Sequence, residues 1–163
     1  MFPDDVIAAA TTLLEACRTA GVKIVTAESC TGGLLAGALT EVAGASDVVD
    51  CGFITYSNDA KSDTLGVAEE LMTHHGAISD VVAREMAIGA LEHSNAEIAI
   101  AVTGVAGPGG GTAAKPAGLV YIAVQRLGRE PVIKEFRFGD IGRSAVRLAT
   151  VREAIQMALS AAR

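Results

Sequence analysis

The chain reads as an α/β domain, a mixed, mostly parallel sheet held between helical layers, and three observations predict it. Helical and strand patterns alternate in the order αβαβααβββα. The first strand, Val22 to Ala27, runs straight into Glu28-Ser29-Cys30-Thr31-Gly32-Gly33, a polar, glycine-bearing turn of the kind that ends a strand at a sheet's carboxyl edge. Further on, Glu97–Thr103 sets Ile98, Ile100 and Val102 between small Ala99 and Ala101, as a central strand covered on both faces requires.

Each element follows from local chemistry. Pro3 with Asp4 and Asp5 opens a helix whose apolar positions recur through Val6, Leu13, Leu14 and Cys17, and Gly21 stops it. After the Val22–Ala27 strand, Leu34–Val42 is an amphipathic helix, Ala43–Asp47 a turn, and Val48–Tyr56 a strand rich in β-branched and aromatic residues. A short helix runs from Asn58 to Leu65, and Ser79 with Asp80 caps a longer one reaching His93. Gly118–Leu127 and Val132–Phe138 are close enough to pair as a hairpin through Gly128, the second alternating weakly as an edge strand does. Arg143 to Ala162 is the final helix.

With 163 residues, half of them apolar, the chain can bury a proper core, and no linker, repeat or low-complexity segment divides residues 1–163. Its six aromatics, four Phe and two Tyr, give few platforms for stacking on bases. A net charge of −6 with no run of Lys or Arg offers no field for a phosphate backbone, so nucleic acid is not an expected partner. Neither a basic-then-apolar leader nor an apolar run near the roughly 20 residues of a membrane span is present, and a cytoplasmic location without membrane association is expected. Cys17, Cys30 and Cys51 are odd in number and lack CxxC spacing, so neither a disulfide framework nor a zinc site is indicated. The adjacent His74 and His75 have no HExxH spacing or second ligand cluster, which argues against a metal.

Three segments could carry chemistry. In the first, Ser29 stands where a strand turns into a helix, and Gly32 and Gly33 permit close backbone approach. Ser29 or Thr31 could equally be a simple N-cap. In the second, Tyr56-Ser57-Asn58-Asp59-Ala60-Lys61, Ser57 as N-cap makes Tyr56 and Lys61 the two positions of a hydrophobic staple. A lysine partly desolvated against a phenol loses proton affinity and could deprotonate Ser29, or else simply pack its stem at a surface turn. The third runs from Thr103-Gly104 through Gly107 to Thr112, a glycine-dense loop whose N–H groups could cup an anion or a carboxamide oxygen, or form a flexible crossover. It has neither a Walker ending nor a dinucleotide GxGxxG. Arg143 and Arg147, a turn apart at a helix start, could hold a phosphate or pair with acidic neighbours. Cys30 is a rival nucleophile whose pKa a helix N-terminus would lower, though no histidine stands near it in sequence.

Taken in order, Ala27-Glu28-Ser29-Cys30-Thr31-Gly32-Gly33, Tyr56-Ser57-Asn58 with Lys61, His75-Gly76-Ala77-Ile78-Ser79, Thr103-Gly104-Val105-Ala106-Gly107-Pro108-Gly109-Gly110-Gly111 and Lys115-Pro116-Ala117-Gly118 closely resemble the CinA C-terminal domain family. The resemblance implies a three-layer α/β/α domain that hydrolyses the carboxamide of nicotinamide mononucleotide to nicotinate mononucleotide and ammonia. Carried over by motif, Ser29 is the nucleophile, Lys61 its base and Tyr56 a hydroxyl linking or orienting them. Ser46, Thr103 and Arg143 are implied to line the substrate site, beside Cys30, Gly32, Gly33, Gly104 and Gly107 from the two glycine-bearing turns. The implied reaction needs no metal or organic cofactor, its partner is a small nucleotide, and a homo-oligomer is expected because family members tend to self-associate. A nucleotide-binding module that holds phosphate without turnover is the alternative from another class.

Overall fold

The computed structural model describes all of residues 1–163 and contains five strands and six α-helices. Along the chain these are α1 (Asp4–Ala20), β1 (Ile24–Glu28), α2 (Leu34–Thr40), β2 (Val49–Ile54), α3 (Asn58–Leu65) and α4 (Glu69–His75). After them come α5 (Asp80–Glu92), β3 (Ile98–Gly104), β4 (Leu119–Arg126), β5 (Val132–Arg137) and α6 (Arg143–Ala162). The sheet order is β2-β1-β3-β4-β5. β1 pairs in parallel with β2 and β3, while β4 is antiparallel to β3 and β5, so four strands share one direction and the expected mixed, mostly parallel sheet is what forms. The β4–β5 hairpin turns at Gly128, and β5 is an edge strand, as its alternation predicts.

One helix goes beyond the predicted order. Between β2 and β3 the chain forms three helices rather than two, because α4 buries only Met72 and has too weak an apolar period to be read from sequence.

The alternation of β3 decides how the layers pack. Ile98, Ile100 and Val102 face the cluster made with α1, α2 and α6, which includes Leu13, Leu35 and Ile155. Ala99 and Ala101 face the other cluster, with Leu65, Val82 and Met86 of α3 and α5. Small residues on that face let the helices lie close to the sheet and to one another. At Gly89 of α5 an added Cβ would stand 1.9 Å from the Leu65 carbonyl oxygen, so only glycine allows α5 to sit against the end of α3.

Since α2 returns on one face to put β2 on one side of β1, and α3–α5 return on the other to put β3 on its opposite side, the connections diverge between β1 and β3. A crevice opens there at the carboxyl ends of the strands, where open α/β sheets take ligands.

Candidate functional site

The carboxyl ends of β1, β2 and β3 meet at this rim, and β5 leads through Gly139 into α6 beside them. Backbone bonds lock the strand ends together: Ser29 N–H donates to Val102 O at 3.0 Å and Thr55 N–H to Glu28 O at 2.9 Å. Here a cavity of about 350 Å³ lies between Ser29, Lys61, Thr103, Arg143 and the Ala106–Gly110 backbone, within the range of roughly 300–1,000 Å³ usual for small-molecule sites.

Lys61 is the largest side chain that the fold buries completely, at 1% exposure. Ser57 caps α3 as predicted, accepting from Ala60 N–H at 3.0 Å, which directs Lys61 one turn later back toward the sheet. Its Nζ donates to the Thr55 carbonyl at 2.8 Å and lies 3.1 Å from Ser29 Oγ. No carboxylate forms an ion pair with it. Burial therefore lowers its pKa from the ordinary 10.5, only partly offset by the thiol of Cys30. When it has lost its proton, an amine so placed keeps one N–H on the Thr55 carbonyl and turns its lone pair to the serine hydroxyl.

The predicted staple takes another form. Tyr56 is 59% exposed and its hydroxyl accepts from Arg143 Nη2 at 2.7 Å, so the polar ends of Tyr56 and Lys61 diverge, one outward and one inward. Lys61 finds two polar partners inside the fold, and its desolvation comes from the surrounding sheet and helices rather than from a phenol bridge to Ser29.

Glu28 corrects both capping alternatives. Neither Ser29 nor Thr31 caps α2; the carboxylate of Glu28, fully buried, accepts from the N–H groups of Gly33 (3.0 Å), Leu35 (3.0 Å) and Ala36 (2.8 Å), with the Thr26 hydroxyl at 3.3 Å. The first turn of α2 is thus closed to any ligand. The backbone N–H groups of Cys30 and Thr31, one turn earlier, have no protein acceptor.

The same burial overturns the expectation for Cys30. Desolvation pushes its thiol up to about 12, and the negative charge of Glu28 adds to the rise. Cys30 lines the cavity, but as a closed apolar wall that belongs to the core.

Around the rest of the cavity, Thr103 is buried and donates to the Ala77 carbonyl at 2.9 Å, tying the end of β3 to the turn before α5. Arg143 reaches across from α6, donating through Nη1 to Gly107 O at 2.9 Å as well as to Tyr56. Ala106, Gly107, Gly109 and Gly110 of the glycine loop line this cavity, and their N–H groups make no bond to protein. At Gly104 a Cβ would come 2.7 Å from Leu119 O, so the loop can leave β3 beside β4 only through a glycine.

Three residues expected at the substrate site lie off it. Gly32 and Gly33 shape the turn above α2, with φ of 57° and 94°, and do not line the cavity. Ser46 lies in a 3₁₀ turn (Ala45–Asp47) before β2, in a separate depression of about 530 Å³ beside α2. A residue before a strand and one after it are separated by the strand's length, here about 20 Å for six residues, so Ser46 cannot share the rim that Tyr56 occupies. Arg147 likewise does not line the cavity; its Nη2 donates to the Thr31 carbonyl. Conversely, Asn58, Ala77 and Ile78 line the cavity without having been singled out, although each stands in a quoted motif. No group of three His, Cys, Asp or Glu side chains lies together as a metal centre would need.

Residues 7–162 match the CinA C-terminal domain family, and the chain belongs to it. Nicotinamide-nucleotide amidohydrolase PncC of Escherichia coli (strain K12) is 43% identical over 143 residues, 87% of this chain and 86% of that protein. A CinA-like protein of Chloroherpeton thalassium is 54% identical over 68% of this chain but only 26% of its own length. The chain spans 26–33% of the longer curated relatives it matches. Among solved structures, the competence/damage inducible protein CihA from Agrobacterium tumefaciens superposes with a TM-score of 0.96 at 52% identity, covering 98% of this chain and 97% of that one.

Proposed function

We propose that this chain is an amidohydrolase that cleaves the carboxamide of nicotinamide mononucleotide, releasing ammonia and nicotinate mononucleotide through an acylated Ser29. The observation that carries the reading is the 3.1 Å approach of a buried lysine with no counter-ion to a serine hydroxyl at a cavity wall. The amidohydrolase PncC, similar over most of both chains, supports the substrate.

Neutral Lys61 takes the Ser29 proton as Oγ forms a bond to the carboxamide carbon, and the C=O π pair moves onto oxygen. The unengaged Cys30 N–H, with that of Thr31 beside it, serves as donor to this oxyanion; one such donor is typically worth about 2.7–4 kcal/mol in the barrier, and the general base roughly 10²–10⁴ in rate. Protonated Lys61 then hands its proton to the departing nitrogen, the C–N bond breaks, and ammonia leaves. A water, deprotonated by the same amine, attacks the acyl carbon; as the C–O bond to Ser29 breaks, Oγ takes that proton back from Lys61, restoring both groups. Arg143 and the loop N–H groups hold the phosphate, with Tyr56 orienting the guanidinium.

The test is ammonia release from nicotinamide mononucleotide by the wild type and by Ser29→Ala, with mass analysis of enzyme quenched during turnover. Release that depends on Ser29, with an acyl adduct on it, is expected. Nucleotide binding without any ammonia would make the chain a binding module instead.

A further inference from the structure

Arg147 is only half employed by the fold. Its Nη2 donates to the Thr31 carbonyl at 2.7 Å across 116 residues, yet its Nε is sealed from solvent without an acceptor and no carboxylate pairs with it. Arg147 is half-buried, and sealing its Nε from water without an acceptor is costly, whereas a purely structural arginine would be expected to find a carboxylate. Its position suggests what the charge is for. Gly32, at φ 57°, would bring a Cβ within 3.3 Å of Arg147 Nη2, so the guanidinium lies directly under the turn, and Gly32 N–H closes that turn on Ser29 O at 3.1 Å.

We infer that Arg147 is a positioning residue: by holding the Thr31 carbonyl it fixes the Ser29–Gly32 turn so that the Cys30 N–H, joined by that of Thr31, meets a developing oxyanion, and its charge adds to their field. This rests on the acyl-serine reading above. The backbone holds this turn by two longer bonds, Gly32 N–H to Ser29 O at 3.1 Å and Leu34 N–H to Thr31 O at 3.2 Å, and the Arg147 guanidinium adds a shorter, charge-assisted one to the same Thr31 carbonyl. Arg143, four residues earlier, lines the cavity and holds Gly107 O, so the two arginines divide their work between substrate and turn.

The test compares wild type, Arg147→Met and Arg147→Lys by two readouts: kcat and KM for ammonia release, and the rate at which a fluorophosphonate, which seats a P–O oxygen where the oxyanion would lie, labels Ser29. Expected are a 10- to 100-fold fall in kcat and in labelling rate for Arg147→Met, KM within twofold, partial recovery in Arg147→Lys, and thermal midpoints that leave all three folded at assay temperature. Labelling at the wild-type rate in Arg147→Met overturns the inference, as does a loss that merely tracks the unfolded fraction or falls on KM alone. A wild type that labels at Ser29 but ignores nicotinamide mononucleotide removes the substrate and keeps this inference; one that does neither removes both.

Discussion

Ser29 Oγ and Lys61 Nζ lie 3.1 Å apart although 32 residues separate them, and the lysine reaches the serine from inside the fold rather than from solvent. Because burial lowers the pKa of Lys61 below 10.5, the unfolded chain binds the proton more tightly than the folded one between those two values. Stability therefore rises with pH across that window and is lowest beneath it. Lys61→Met removes the dependence: its thermal midpoint should compare best with wild type below the lowered value, and the comparison should worsen as pH approaches 10.5. In wild type, kcat/KM should climb as the amine loses its proton, a limb absent from the residual activity of Lys61→Met.

Cys30 offers a sharp contrast with its neighbour. With its thiol pushed up to about 12, Cys30→Ala should keep ammonia release within a few-fold of wild type, whereas Ser29→Ala should lose it. Native protein at pH 8 should leave Cys30 unmodified by a disulfide exchange reagent, and peptide mapping would find the label on half-buried Cys51 first.

Tyr56 should act on binding. Tyr56→Phe deletes the acceptor of one Arg143 N–H, worth about 0.5–1.5 kcal/mol, and should raise KM roughly two- to tenfold with kcat nearly unchanged. A 100-fold fall in kcat at constant KM would instead make the phenol a proton carrier.

Glu28→Gln tests the internal cap. An amide presents an NH₂ to the row of N–H groups that a carboxylate accepts, and replacing charge-assisted bonds should cost about 1.5–3 kcal/mol. For a chain of this size that corresponds to a thermal midpoint lower by about 3–12 °C, measurable by circular dichroism.

Gly89→Ala sets helix propensity against packing. Alanine favours an isolated helix by about 1 kcal/mol, but its Cβ would meet the Leu65 carbonyl oxygen at 1.9 Å. We expect net destabilisation of about 1–3 kcal/mol in denaturant melts, together with lost activity, since Leu65 ends the helix that carries Lys61.

Much of this molecule was written in its local patterns. The order of nearly all elements, the central β3 with its Ile/Ala alternation, the hairpin at Gly128 and the Ser57 cap follow from period, turn chemistry and capping, which act between residues a few positions apart. The family motifs fixed the neighbourhood of Ser29, Lys61, Thr103 and Gly107 in the same way, as short runs. What a run of residues leaves open is direction. Tyr56 and Lys61 share one turn of chain, yet the sheet's interior took the amine and the rim took the phenol, because only the folded layers define an inside. Likewise Glu28 became the cap of α2, Ser46 went to the far end of β2 and Arg147 slid under Thr31, choices set by strand direction and by which buried polar groups still lacked a partner. Sequence supplied the groups and their order; the tertiary structure decided which of them lost water, and so which could serve as base, cap or clamp.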